Sequence, residues 1–188
     1  MQRYFAALTM VLLSGMVLTR VLLMKRKGIR AIYFANIDKK DFLTPPFGLF
    51  YLYIVFAATF NLPAVSKQEF FHSEMASWLG VFLCLMGLVL LLSSFVSFGK
   101  SFRIGIDTNH SDKLVTTGVF AFSRNPIYVA IGFILIGQFL VFSNWILLLY
   151  MAAAAWLFHR QVLREEAYMK KHYGKEYSEY CSGVRRYF

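Results

Sequence analysis

Apolar residues come in blocks along this chain, separated by polar and mostly basic stretches. Tyr4 to Met24 carries one charge, Arg20, near its end, while Pro46 to Val65 and Met75 to Gly99 carry none. After Pro126 a run from Ile127 to Phe142 is followed by the turn-like pair Ser143-Asn144 and a second run, Trp145 to Phe158. A helix of about 20 apolar residues spans the bilayer core, and helices satisfy their own backbone groups there. The pattern predicts an all-α, polytopic membrane helix bundle with five transmembrane helices. The last two runs reach only about 24 and 21 Å against a core of about 30 Å. They read as a tight helical hairpin whose final helix continues past its apolar part into polar sequence. A buried globular helix pair is the alternative, and the three other spans of a 188-residue chain argue against it.

Composition agrees: 58% of residues are hydrophobic, 16% are charged, and mean hydropathy is +0.53. A soluble domain carries about 45–50% apolar and about 25% charged residues. The net charge of +10 invites a nucleic-acid reading, but position excludes it. Lys25, Arg26, Lys27, Arg30, Lys39 and Lys40 fill the first connection, and Lys100, Arg103, Lys113 and Arg124 the third. Arg160, Arg164, Lys170, Lys171, Lys175, Arg185 and Arg186 follow the last span. Seventeen of the 20 basic residues thus share one side, with Arg3 and Lys67 opposite and Arg20 able to snorkel. This positive-inside pattern predicts an N-terminus outside and a cytoplasmic tail in a cell membrane. The basic tail is also suited to anionic headgroups.

The first run is too long for a secretory signal, lacks a small-residue cleavage pattern, and has its basic cluster after it, so it reads as a retained anchor. Cys84 and Cys181 are far apart, and His72, His110, His159 and His172 lack ligand spacing, so no metal site is expected. The chain reads as a single membrane-embedded domain, 1–188, with three spans in 1–98 and a second half in 99–188. The loop Asn61 to Glu74 carries no evident chemistry. The long connection Lys100 to Asn125 mixes apolar and polar residues, as functional loops do. Beyond Glu165 the tail is charged, with Tyr173, Tyr177 and Tyr180 spaced for one face of an amphipathic helix.

Two polar clusters flank the terminal hairpin: Arg124-Asn125-Pro126-Ile127-Tyr128 before it and Arg164-Glu165-Glu166 after it. Antiparallel pairing about Ser143-Asn144 sets Asn125 opposite position 162 and Tyr128 opposite 159, with Glu165 within a turn of that level. Each cluster has a structural reading alone. Asn125 and Pro126 make an ordinary N-cap and N1, Tyr128 suits an interfacial aromatic, and the acidic pair suits a solvated face. Together they offer a helix N-terminus for a carboxylate, a carboxylate for an ammonium or hydroxyls, and aromatic rings for a base or a sulfonium. S-adenosylmethionine carries all of these groups.

Lys113 to Phe120, Arg124 to Tyr128, Glu165-Glu166, and Tyr173-Gly174-Lys175-Glu176-Tyr177 through Tyr180 and Val184 follow in order. This series resembles the isoprenylcysteine carboxyl methyltransferase family over roughly residues 97–188. The resemblance implies a membrane bundle with a cofactor-binding methyltransferase core in 99–188. It also implies S-adenosyl-L-methionine as cofactor, held by Asp112, Lys113, Leu114, Val115, Phe120, Asn125, Pro126, Ile127, Tyr128 and Glu165. Glu165 and Arg164 are the candidate catalytic residues, with no general base assigned. Arg160, Gln161, Arg164 and Glu166 are the candidates for binding a lipophilic acceptor at the cytoplasmic membrane face. Two positions depart from the eukaryotic pattern: Asn125 stands where His is usual, and Gln161 stands where Arg precedes the Glu by four residues. The acceptor therefore stays open among a prenylcysteine-like carboxylate, a lipid headgroup and a thiol.

Two other functions suit such a bundle. A membrane reductase of sterol-reductase type would use a nicotinamide cofactor, but the chain is short for that group and shows no basic cluster dedicated to a 2′-phosphate. A non-catalytic membrane scaffold would have no need for the polar clusters.

Overall fold

The computed structural model describes residues 1–26, 44–66, 68–99 and 114–187. Seven α-helices occur among them: α1 Gln2–Arg26, α2 Thr44–Thr59, α3 Pro63–Ser66, α4 Glu74–Phe98, α5 Pro126–Phe142, α6 Trp145–Tyr173 and α7 Lys175–Gly183. A 3-10 turn, Gly118–Ala121, precedes α5. No strand occurs among the described residues beyond an isolated antiparallel bridge between Glu69 and Asn144.

Three helices, α1, α4 and α6, are long and apolar enough to cross a membrane, while Pro46–Thr59 and α5 are shorter apolar helices. The second run stops earlier than its composition suggests. Asn61 takes a left-handed φ of 53°, and Pro63 opens the one-turn α3, so Thr59 ends the helix. The final helix does run on past its apolar part: α6 has 29 residues against 17 in α5.

Local chemistry places the boundaries. Ser73 caps α4, its Oγ accepting from the Ala76 N–H at 3.3 Å, with Glu74 in the first turn. Ser143, in the left-handed conformation, turns the chain out of α5, and Asn144 caps α6 by accepting from the Ile146 N–H at 2.8 Å. Gly174, with φ 54°, ends α6 and starts α7. The break separates Tyr173 from Tyr177 and Tyr180, so the three tyrosines do not share one helix face as their spacing suggested. Tyr177 is buried and Tyr180 half-buried on α7.

The bundle centres on α4 and α5, which meet backbone to backbone. A Cβ added at Gly80 would lie 2.5 Å from the Gly137 carbonyl oxygen, and one at Gly137 equally close to that of Gly80. Two turns along, a Cβ at Gly87 would fall 2.7 Å from the Ala130 oxygen. Small residues allow this approach where lipid provides no hydrophobic drive between helices. Around it Ala6, Met10, Ile54, Val55, Ala58, Ile134, Phe142, Leu147 and Ala154 form the main buried cluster. Gln138, fully buried on α5, donates to the Ala6 carbonyl at 2.8 Å and ties α1 to the pair.

The Asn61–Glu74 connection closes the end of the bundle at the α5–α6 turn. Phe70 N–H donates to the Ser143 carbonyl (3.1 Å) and Trp145 N–H to Gln68 (3.2 Å). Asn144 Nδ2 donates to the Val65 carbonyl (2.6 Å), while Arg3 pairs with Glu69 (2.6 Å) and bonds Asn61.

Candidate functional site

The opposite end of the hairpin gathers the two polar clusters. Pro126, at the first helical position, lacks an N–H where none is needed, so α5 starts here. The backbone of Asn125 is the N-cap, but its side chain does not cap the helix. Its Nδ2 instead reaches across to Glu166 Oε1 (3.3 Å) and the Arg186 carbonyl (3.1 Å). The partner lies four residues beyond the expected position 162, about one turn of α6.

The adjacent carboxylates divide the work. Glu165 Oε1 accepts from the Tyr128 hydroxyl at 2.7 Å and from Gln161 Nε2 at 3.0 Å, one turn earlier on α6. The Tyr128 ring lies 5.7 Å from that of Phe158. This clasp joins the first turn of α5 to α6 with groups that are all half-buried. Glu166 serves a different set of partners. Its Oε1 pairs with Arg124 at 3.3 Å, and its Oε2 receives Arg186 through Nη2 at 2.9 Å and Nε at 3.0 Å. Hydrogen bonding to Glu166 holds the Arg186 pKa above its usual value.

Arg186 belongs to a strap, residues 184–187, that runs over the start of α5. The Arg124 N–H donates to the Arg185 carbonyl (3.0 Å), and Ser123 Oγ donates to that of Arg186 (3.4 Å) while accepting from the Asn125 N–H (3.2 Å). Tyr187 Oη lies 2.8 Å from His159 Nδ1, and burial raises the Tyr187 pKa. Behind the strap, the Tyr180 hydroxyl donates to the Phe120 carbonyl at 2.6 Å, and its burial pushes the phenol up to about 12. Burial, then the Glu166 carboxylate, raises Tyr177 as well.

The remaining expected residues distribute as follows. Asp112 and Lys113 lie outside the described residues. Leu114 and Val115 are half-buried ahead of the 3-10 turn. Gly118, with φ 64°, lets the turn press onto α4, since a Cβ there would lie 2.3 Å from Ser97 Oγ. Phe120 is buried edge-on against Phe98, with centroids 4.5 Å apart. Ile127 packs against a second apolar cluster of Met24, Leu91, Phe95 and Ala130. Gln161 and Arg164 are half-buried, whereas Arg160 is exposed with its guanidinium 5.8 Å from the Trp156 ring centroid. Ser123, Arg186 and Tyr187 were not anticipated around the site, whereas position 159 was expected opposite Tyr128. The doublet Glu165-Glu166 was the available signal, because two adjacent carboxylates on a helix cannot share one set of partners. Among the described residues, no three of His, Cys, Asp and Glu are grouped to hold a metal ion.

Comparison with known proteins places this arrangement. The sequence model of the phospholipid methyltransferase family matches residues 75–176. A protein-S-isoprenylcysteine O-methyltransferase of Schizosaccharomyces pombe is 33% identical over 127 residues, covering 66% of this chain and 53% of that protein. Protein-S-isoprenylcysteine O-methyltransferase B of Arabidopsis thaliana is 29% identical over 132 residues, covering 65% of this chain and 66% of its own length. The chain thus spans about half to two thirds of the length of these relatives. A solved structure of the eukaryotic intramembrane Ras methyltransferase, an isoprenylcysteine carboxyl methyltransferase, has a TM-score of 0.61. It covers 88% of this chain and 58% of that one at 22% identity, a likeness of fold. With more than half of its length matched, including the 3-10 turn, both site helices and their two glutamates, the chain belongs to the phospholipid methyltransferase family.

Proposed function

We propose that this chain is an integral membrane methyltransferase that takes S-adenosyl-L-methionine as donor and methylates a lipophilic acceptor at the cytoplasmic membrane face. The observation that carries this reading is the Tyr128–Glu165–Gln161 clasp beside the N-terminus of α5. The family and the names of the relatives support it.

The residues present fit such a donor. The Asn125 side chain is drawn off to Glu166, so it does not bond the first-turn N–H groups of α5, and a helix N-terminus attracts a carboxylate. Glu165 suits an ammonium or ribose hydroxyls, and Tyr128 offers an aromatic face. When bound, the donor supplies a methyl group on a sulfonium, transferred by in-line displacement. The protein's part is alignment and exclusion of water. Tyr128 and Gln161 fix the Glu165 carboxylate from two sides. Arg160, Gln161 and Arg164, within about one turn of α6, are our candidates for the acceptor, and Arg164 with Glu165 for the reacting centre. A carboxylate or thiolate acceptor needs no general base at neutral pH.

We further read five spans, with the N-terminus outside and the site inside, from the charge asymmetry. The 17-residue α5, about 25 Å long, is accommodated by tilt or local thinning of the bilayer. Calorimetry and thermal shift with S-adenosylmethionine and its demethylated product test the donor site. Saturable binding is expected, weakened about 10- to 100-fold by Glu165→Ala or Tyr128→Ala, the loss of one charge-assisted hydrogen bond. Absence of heat and of any thermal shift with both ligands would overturn the proposal.

A further inference from the structure

Asn125 and Asn144 are the same residue at the same place, the N-cap of a helix, yet they behave differently. Asn144 has extended backbone, with ψ 136°, and its Oδ1 accepts from the Ile146 N–H at 2.8 Å. Ser73, with ψ 121°, caps α4 in the same manner. Asn125 stands at ψ 52° and makes no side-chain cap bond. Its buried amide is committed elsewhere, Nδ2 donating to Glu166 Oε1 at 3.3 Å and to the Arg186 carbonyl at 3.1 Å. That carbonyl is itself kept in reach by the Arg186 side chain, which bonds Glu166 Oε2 at 2.9 and 3.0 Å. Arg124, the residue before Asn125, pairs with the same carboxylate at 3.3 Å. One acidic group thus governs both acceptors of the Asn125 amide.

We infer that Glu166 is a positioning residue: directly and through the strap, it keeps the Asn125 side chain off the first turn of α5 and leaves that turn open to the carboxylate of a ligand. A residue before proline favours ψ of about +120 to +160°, the extended region in which an N-cap side chain reaches the N–H groups at N2 and N3. Released by Glu166, Asn125 returns to that region and caps α5 as Asn144 caps α6. The adjacent glutamates then have separate duties, with Glu165 in the clasp and Glu166 setting the state of Asn125. The consequence for a ligand rests on the donor reading above, whereas the movement of the Asn125 side chain does not.

The test uses the full chain as Glu166→Ala, as the conservative Glu166→Gln, and with Asn125→Ala added to each. A side-chain cap contributes about 1 kcal/mol, or about a fivefold change. Without ligand, amide hydrogen exchange is followed at Ile127 and Tyr128, the N2 and N3 positions of α5. Exchange at one of these amides should slow about fivefold in Glu166→Ala. It should slow less in Glu166→Gln, whose side-chain oxygen still accepts from Asn125, and not at all once Asn125→Ala is added. With ligand, the demethylated product of S-adenosylmethionine should bind Glu166→Ala about fivefold more weakly, and Asn125→Ala should restore that loss. 5′-Methylthioadenosine, the same thioether nucleoside without the amino-acid end, should not distinguish Glu166→Ala from the parent. Where Glu166→Ala loses helix by circular dichroism, the Glu166→Gln pair carries the comparison. Exchange at both amides unchanged by loss of Glu166, or a slowing that persists with Asn125→Ala, would overturn the inference. A parent that binds neither ligand would overturn the donor reading instead, and exchange would still decide the role of Glu166.

Discussion

Glu166→Gln removes the charge that fastens the 184–187 strap while keeping the side chain's volume and one acceptor oxygen. Four bonds meet at this carboxylate: Arg124 and Asn125 at Oε1, and Arg186 twice at Oε2. Hydrogen bonds to charged groups contribute about 1.5–3 kcal/mol each. The Arg186 side chain is 37% exposed, so screening reduces its part to about 1 kcal/mol. Arg124 and Glu166 are both 13% exposed, and the neutral amide leaves the Arg124 cation poorly compensated, adding about another 1 kcal/mol. The docked strap should therefore weaken by about 2 kcal/mol, or about 30-fold in its open population. Where opening is fast relative to cleavage, proteolysis tracks that population. Trypsin should cut after Arg185 about 30-fold faster in Glu166→Gln, with cleavage after Lys170 and Lys171 on α6 unchanged. A change under about threefold at Arg185 would show that Glu166 does not hold the strap.

The other predictions concern the helix contact, the buried glutamine and the tyrosines. Gly80→Ala places a methyl against the Gly137 carbonyl and should cost at least about 2 kcal/mol, whereas Gly15→Ala, with nothing within 4 Å, should not destabilise. Thermal unfolding in detergent that ranked the two alike would refute the backbone contact. Gln138→Leu removes one interhelical bond, but also a buried Oε1 with no hydrogen-bond partner among the described residues. Interhelical bonds of this kind average about 0.6 kcal/mol, so the same assay should find it within about 1 kcal/mol of the parent. In alkali, Tyr180 titrates at about 12 when folded, above its ordinary 10, because of burial. Its contribution is complete below pH 10 and is lost as pH rises through about 12, with Tyr177 shifted in the same direction. Tyrosinate absorbance followed beside circular dichroism should show late-titrating phenols whose ionisation coincides with loss of helix. A single ordinary transition near 10 would contradict the burial.

Hydropathy exposed all five apolar helices because an apolar run is a local property, written in consecutive residues. The convergence of Asn125 and Tyr128 with the acidic pair was legible too, since a hairpin fixes its partners to within a turn. The register was not: Glu166, not position 162, meets Asn125, because helix tilt and packing set the last turn. The capping role of the Asn125 side chain failed for a related reason, as a carboxylate and a carbonyl from distant sequence compete for its amide. Contacts of long sequence separation were invisible, including Arg186 at the site and the Asn61–Glu74 loop pinned to the α5–α6 turn. The helix contact did have a signal: Gly80, Cys84 and Gly87 recur at i, i+4 and i+7 on one face of α4.

That glycine contact decides which part of the molecule can give way. At Gly80–Gly137 the main chains of α4 and α5 face each other directly, and at Gly87 the Ala130 carbonyl and the Ile134 side chain close the gap, so this pair has no room for a further atom between its helices. Helix α6 is tied through its main chain at its start, by the Trp145 N–H to the Gln68 carbonyl, and packs by side chains beyond it, with Leu147, Tyr150, Ala154 and Val162 buried along its length. A parting of α5 from α6 at the site would be widest at this end of the hairpin, farthest from the shared turn at Ser143-Asn144. Tyr128 stands on α5 and Glu165 on α6, so the 2.7 Å bond between them is the contact by which any such parting would be read.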